Sequence, residues 1–170
     1  MTGRIFLLGD NIDTDQLAPG RYMGTSINML AEHCLDNAYP NFSKLVSEGD
    51  ILFAGNNFGA GSSREQAVEV LRFLKVSSVI ALSFAGIFYR NAINLGLPAL
   101  VCEDDQGVRD GDLAEVDFEQ NRLVLVGRNC FKKLEPIPDN LMNILDDGGL
   151  IPHLKKRIDL RHIRKKRNES

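Results

Sequence analysis

The stretch Asn56-Asn57-Phe58-Gly59-Ala60-Gly61-Ser62-Ser63-Arg64-Glu65 decides how the whole chain is read. It is a turn of small residues that runs straight into a helix. Gly59 and Gly61 permit positive φ and close backbone approach. Ser62 with Glu65, or Ser63 with Gln66, matches the capping-box pattern that opens a helix. Ala67, Val70, Leu71 and Leu74 then recur at helical spacing. Two hydroxyls and the Arg64 guanidinium therefore belong to a helix N-terminus. Free N–H groups and the positive end of the helix dipole favour an anion there.

Working outward, the run Ile51-Leu52-Phe53-Ala54 before this loop reads as a short apolar strand. The helix spans about Ser63 to Lys75. A second strand, Ser78 to Leu82, follows, then a helix over Gly86 to Leu95 closed by Gly96 and Pro98. Ala99 to Cys102 is the next strand. Short apolar strands alternating with helices imply parallel pairing and right-handed crossovers. Ligands of such sheets gather at the C-terminal ends of the strands. Asn56 to Arg64 and Arg90-Asn91 are therefore expected near one rim. Upstream, Arg4 to Leu8 is a strand that enters the Asp- and Asn-rich loop Gly9 to Gln16. Asn28 to Asp36 reads as a short helix, and Phe42 to Val46 as a further helical turn. Downstream, Leu113 to Phe118 and Arg122 to Val126 form a hairpin around Glu119-Gln120-Asn121. Asn140 to Asp147 and Leu150 to Ile158 read as the last helices. The expected fold is α/β: a partly parallel sheet with flanking helices and an added antiparallel hairpin.

The 170 residues, 44% of them apolar, fit one soluble domain that needs no staple. No apolar run approaches the ~20 residues of a membrane span. The N-terminus lacks a signal-peptide pattern, so a cytoplasmic protein is expected. Cys34, Cys102 and Cys130 are odd in number and far apart, and His33, His153 and His162 are equally scattered. No disulfide framework and no metal site is assigned. An EF-hand starting at Asp10 fails, because Asp15 and Arg21 stand where Gly and Glu are needed. From Lys155 to the end there are eight basic and two acidic residues, against twelve basic and twenty-one acidic before them. The body thus carries −9 and the tail +6, which give the net −3. Residues 158–170 are expected as a basic, solvated or partly disordered tail after one domain over 1–157. An acidic body without a nucleic-acid motif argues against nucleic acid as a partner.

Two nucleotide motifs fail at the glycine-serine loop. A P-loop needs a Lys beside the last Gly, and there is none. A dinucleotide fingerprint needs a third Gly where Arg64 stands. Local chemistry then leaves three readings open: a capped structural helix, an anion site, or a catalytic serine. Arg64 can offer a fork to a carboxylate. A serine can act as a base only if donors stabilise its oxyanion.

Three ordered blocks carry a resemblance: Gly9-Asp10-Asn11-Ile12-Asp13-Thr14-Asp15-Gln16, Asn57-Phe58-Gly59-Ala60-Gly61-Ser62-Ser63-Arg64-Glu65, and Ser83 to Pro98. Over about residues 4–157 the chain resembles the small, swivel-domain subunits of the aconitase superfamily, of the 3-isopropylmalate dehydratase and homoaconitase type. The resemblance implies a swivel-like β/β/α domain and a hydro-lyase half-site, which isomerises a hydroxy-acid by dehydration and rehydration in leucine biosynthesis. It implies a large iron–sulfur subunit as partner, whose four-iron four-sulfur cluster acts as Lewis acid, and a small hydroxy-dicarboxylate substrate. No cofactor is expected on this chain. By motif position, Ser62 resembles the base that removes the carbon-bound proton. Ser63 and Arg64 resemble substrate-carboxylate binders, and Asp15 with Thr14 an active-site acid position. Arg21, Tyr22, Met23, Gly24 and Thr25 occupy the place of the loop that selects the substrate's substituent. Tyr22-Met23-Gly24-Thr25 is neither charged nor bulky and branched, with Arg21 next to it, which favours an alkyl-substituted malate. Homoaconitase and 2,3-dimethylmalate dehydratase subunits are the alternatives, and a non-catalytic carboxylate-binding or assembly module is the alternative of another class. Ala60 and Gly86 depart from the Cys or Leu and the Arg that relatives often carry there.

Overall fold

The computed structural model describes the backbone of residues 2–168 and the side chains up to residue 159. Four parallel strands form one side of its sheet: β1 (Gly3–Leu7), β2 (Ile51–Ala54), β3 (Ser78–Ala81) and β4 (Ala99–Val101). Helices α4 (Glu65–Phe73) and α5 (Gly86–Asn94) connect β2 to β3 and β3 to β4. The short helices α1 (Thr14–Leu17), α2 (Ile27–Glu32) and α3 (Phe42–Leu45) lie between β1 and β2.

The expected hairpin is larger than its sequence signal. β5 (Leu113–Asp117) and β6 (Arg122–Leu125) pair antiparallel as predicted, and β7 (Cys130–Lys133) adds a third strand. β7 is half exposed and lysine-rich, as edge strands are, so no clean apolar alternation announces it. β5 also pairs antiparallel with β1, which makes one seven-stranded sheet in the order β4-β3-β2-β1-β5-β6-β7.

The sheet curls until its two ends meet. Cys102 and Leu134 form a bridge, and the Glu135 N–H donates to the Val101 carbonyl at 2.8 Å. This curl explains why β2 and β3 are buried at every position. Side chains of period two divide between two cores. Ile51 and Phe53 point inward with Ile5, Ile80, Leu100, Leu123 and Leu125. Leu52 and Ala54 point outward against the helices, with Phe6, Val79, Leu71 and Phe88.

Helices α6 (Asp139–Asp146) and α7 (Leu150–Asn168) end the described chain. α7 continues past Ile158, where the sequence pattern ends the last ordered helix. Its Lys- and Arg-rich second half is built of good helix formers whose charge suits a C-terminal dipole end. From residue 160 onward the side chains of the expected basic tail lie outside the described residues. Among the described residues no helix is long and apolar enough to cross a membrane.

Candidate active site

The site is assembled where three loops leave the C-terminal ends of β1, β2 and β3. Backbone bonds stitch the first two together. The Asn11 N–H donates to Asn56 O at 2.8 Å, the Gly59 N–H to Ile12 O at 2.7 Å, and the Thr14 N–H to Ala60 O at 2.8 Å. Asp10 Oδ1 accepts the Asn56 N–H at 2.6 Å, and Asn57 Nδ2 donates to Asn11 Oδ1 at 3.0 Å. The third loop joins through a Phe58–Phe84 bridge and through Ser83 Oγ, which accepts the Asn57 N–H at 2.8 Å. The expected common rim therefore exists for the loops after β2 and β3. Arg90 is exposed on α5, and among the described residues no hydrogen bond ties it or Asn91 to the serine loop.

The capping box expected at Ser62–Glu65 or Ser63–Gln66 does not form. α4 begins only at Glu65, with the extended residue Arg64 as its N-cap and no side-chain cap. The cause is local. The Arg64 N–H donates to Ser62 O at 2.8 Å, which closes a three-residue turn and holds both serines outside the helix. Ser62 and Ser63 are exposed, and among the described residues neither hydroxyl has a hydrogen-bond partner. The first amides of α4 also keep no side-chain cap, so donors and dipole remain available to an anion.

Arg64 is clasped to the first loop. Its Nη1 donates to Asp15 Oδ1 at 2.6 Å and to Ala18 O at 3.1 Å. A guanidinium carries five N–H donors in a fixed fork. Both Nη1 hydrogens are spent on the clasp, which leaves the Nη2 and Nε edge for a second, bidentate partner. Asp15 Oδ1 also accepts the Gly20 N–H at 2.9 Å. The Arg64 hydrogen bond first, and that from Gly20 second, hold the Asp15 carboxyl below the usual carboxylate range.

A depressed carboxylate pKa means that the clasp is at full strength above the ordinary Asp range. It is lost only as pH falls through the lower, folded value. Arg64→Ala is expected to move the Asp15 titration upward toward that ordinary range, with the Gly20 hydrogen bond keeping part of the depression, which carbon-detected NMR of the carboxyl measures. An unmoved titration would show that the pair does not exist in solution.

The other sequence-predicted residues fall differently. Thr14 is only 3% exposed, beneath the path of Gly61, so its hydroxyl is covered. Arg21 and Asp15 line a cavity of about 470 Å³, together with Asp13, Gln16, His33 and Asp36. Tyr22 is half-buried, while Arg21, Met23, Gly24 and Thr25 are exposed. Two features escaped the sequence reading. Asp13 and Gln16 form a complete capping box on α1, a pattern visible as Asp-x-x-Gln. His33 lies in the cavity wall, with no sequence signal to place it there. Cys34 is buried in the outer core, Cys102 in the inner one, and Cys130 is half-buried on β7. Among the described residues no three His, Cys, Asp or Glu side chains are grouped as metal ligands would be.

A loop site with two exposed serines and a clasped arginine, on a curled sheet of parallel and antiparallel halves, defines the class. A family model for the aconitase C-terminal domain matches residues 37–105, which contain both the serine loop and α5. The chain is 45% identical over 158 residues to the methanogen homoaconitase small subunit of Methanothermobacter thermautotrophicus, covering 92% of each chain. It is 46% identical over 157 residues to the 3-isopropylmalate dehydratase small subunit of Halothermothrix orenii, covering 91% of this chain and 95% of that one. A crystal structure of 3-isopropylmalate dehydratase from Methanocaldococcus jannaschii superposes with a TM-score of 0.91 at 42% identity, covering 96% and 98% of the two chains. The chain belongs to the family of aconitase-type dehydratase small subunits.

Proposed function

We propose that this chain is the small subunit of a 3-isopropylmalate dehydratase and supplies the proton-transfer and carboxylate-binding half of the active site. One observation carries the reading. Arg64 is anchored through Nη1 to Asp15, and its remaining edge stands in the same loop as two serine hydroxyls that have no partner among the described residues, and a helix start with no side-chain cap. In this reading Ser62 takes the carbon-bound proton. Ser63, the Arg64 edge and the first amides of α4 hold a substrate carboxylate, and they are the donors available to stabilise a serine oxyanion. Asp15 orients Arg64, and Thr14 supports the loop from beneath. Residues 21–25 face the substrate's variable group. The Lewis acid for the departing hydroxyl is assigned to the large subunit, whose existence the small-subunit names of the relatives imply.

The loop favours an alkyl substituent, because its only cation, Arg21, lies over the Tyr22 ring at 4.9 Å. A homoaconitase-type substrate is the second reading, favoured by the same Arg21 where it lines the cavity and could meet an extra carboxylate. The test is reconstitution with the large subunit. The pair is expected to interconvert 2- and 3-isopropylmalate with kcat/KM at least tenfold above that for homocitrate or 2,3-dimethylmalate, and the chain alone to be inactive. Activity of the chain alone would overturn the half-site, and a reversed preference would establish the second reading.

A further inference from the structure

The loop at residues 21–25 is fastened to the rest of the molecule at one side chain. Tyr22 alone among these five residues is not exposed. Its ring lies flat on the His33 imidazole, with centroids 4.1 Å apart and planes inclined by 5°. The Arg21 guanidinium also lies over the Tyr22 ring. His33 is held in turn. Its Nδ1 is 2.8 Å from Asp36 Oδ2, so the imidazole has one preferred orientation. It closes α2 as the C-cap residue, one position before the buried Cys34. The next residue, Leu35, is fully buried with φ +60, and its N–H donates to the Gln16 carbonyl at 2.8 Å. Gln16 belongs to α1, the helix that carries Asp15.

Two routes thus run from Asp15 to the same loop. One is the direct bond from the Gly20 N–H to Asp15. The other passes through Gln16, Leu35 and His33 to the Tyr22 ring. The cavity of about 470 Å³ lies between them, with Asp15, Arg21, His33 and Asp36 in its wall.

We propose that His33 is a positioning residue: the His33–Asp36 pair is the platform that fixes Tyr22, and through it the loop that discriminates between substrates. This rests on the assignment of residues 21–25 as the specificity loop. His33 does not touch the reacting atoms. It sets where the loop stands relative to the Asp15–Arg64 clasp, so its loss should weaken substrate binding and discrimination more than turnover.

The decisive variants are His33→Ala, His33→Phe and Asp36→Asn in the enzyme reconstituted with its large subunit. His33→Ala is expected to raise KM for the preferred acid up to about tenfold, the scale of one stacked aromatic pair, with kcat within about twofold. His33→Phe keeps a flat ring and should recover most of that loss, and Asp36→Asn should shift KM in the same direction by less. An unchanged KM in His33→Ala, or a His33→Phe enzyme no better than His33→Ala, overturns the proposal. A second arm needs no activity. Trypsin cleavage after Arg21, followed by mass spectrometry on the isolated chain, should be about tenfold faster in His33→Ala while the thermal midpoint falls by only about 2–4 °C, because the loop has lost its anchor. An unchanged cleavage rate overturns the platform. If the reconstituted wild-type pair acts on none of the acids, the functional reading fails while the protease result still decides the role of His33.

Discussion

Ser62→Ala is expected to lower turnover of the reconstituted enzyme by about three powers of ten, within the ~10²–10⁴ that a positioned acid–base group contributes. The same change should leave the fold almost untouched. Had Ser62 capped α4, its loss would cost ~1 kcal/mol of stability. The structure removes that expectation, because the N-cap is Arg64 and the Ser62 side chain is exposed, with no partner among the described residues. An exposed change of this kind stays within about 0.5 kcal/mol. The two measurements are therefore well separated. Steady-state kinetics should show the loss in kcat, while thermal denaturation shows the wild-type midpoint. Near-normal turnover with a normal midpoint would favour the non-catalytic module, in which the serine loop is only a connection. A normal kcat with raised KM would instead move Ser62 to the carboxylate-binding group.

Gly59→Ala is expected to cause a large loss of stability from a single methyl group. Gly59 has φ +78, a conformation that costs an L-residue roughly 1–2 kcal/mol. A methyl there would also stand 2.2 Å from Cβ and Cγ of Phe88. Phe88 cannot yield easily, since it is 1% exposed and packs edge-on against Phe58 with ring centroids 5.0 Å apart. Overpacking of a core commonly costs about 1–3 kcal/mol. The two effects together amount to about 3 kcal/mol, or a midpoint lowered by about 10 °C for a domain of this size. Circular dichroism on heating measures it. Gly86→Ala is the control, because its Cβ meets nothing within 4 Å and its φ is not positive. A normal midpoint in Gly59→Ala would mean that α5 does not press on the serine loop as described. The same contact gives the loop its function, since Phe88 and the Gly59–Ile12 hydrogen bond pin it from opposite sides.

The resemblance and the pattern of short strands and helices left little of the fold unread. β2, both crossover helices, β3 and β4 lie within a residue or two of their expected spans. The reason is that each is a contiguous apolar or amphipathic segment bounded by glycine or proline, so local periodicity suffices. β7 was not legible. A strand of four residues at a sheet edge, two of them lysine, carries no pattern that separates it from a loop. The capping box at the serines was legible and does not form. A pattern states which bonds are possible, and here the short turn closed by the Arg64 N–H on Ser62 O takes the place of the box. On α1 the same pattern does form: Asp13 is extended, its side chain accepts the Gln16 N–H, and the Gln16 side chain accepts the Asp13 N–H.

For this protein the amino-acid order alone determined the alternation of strand and helix, the two serines and the arginine, and the blocks by which its family is recognised. These follow from nearest-neighbour periodicity and residue type. Only the tertiary structure decided that the sheet curls shut on a second core, because that depends on β4 meeting the end of β7. It also decided that Asp15 grips one side of Arg64 while the other edge stays free, and that His33 lies beneath Tyr22. Such contacts join residues remote in sequence, and their free energy exists only once the loops have been brought together by the strands that carry them.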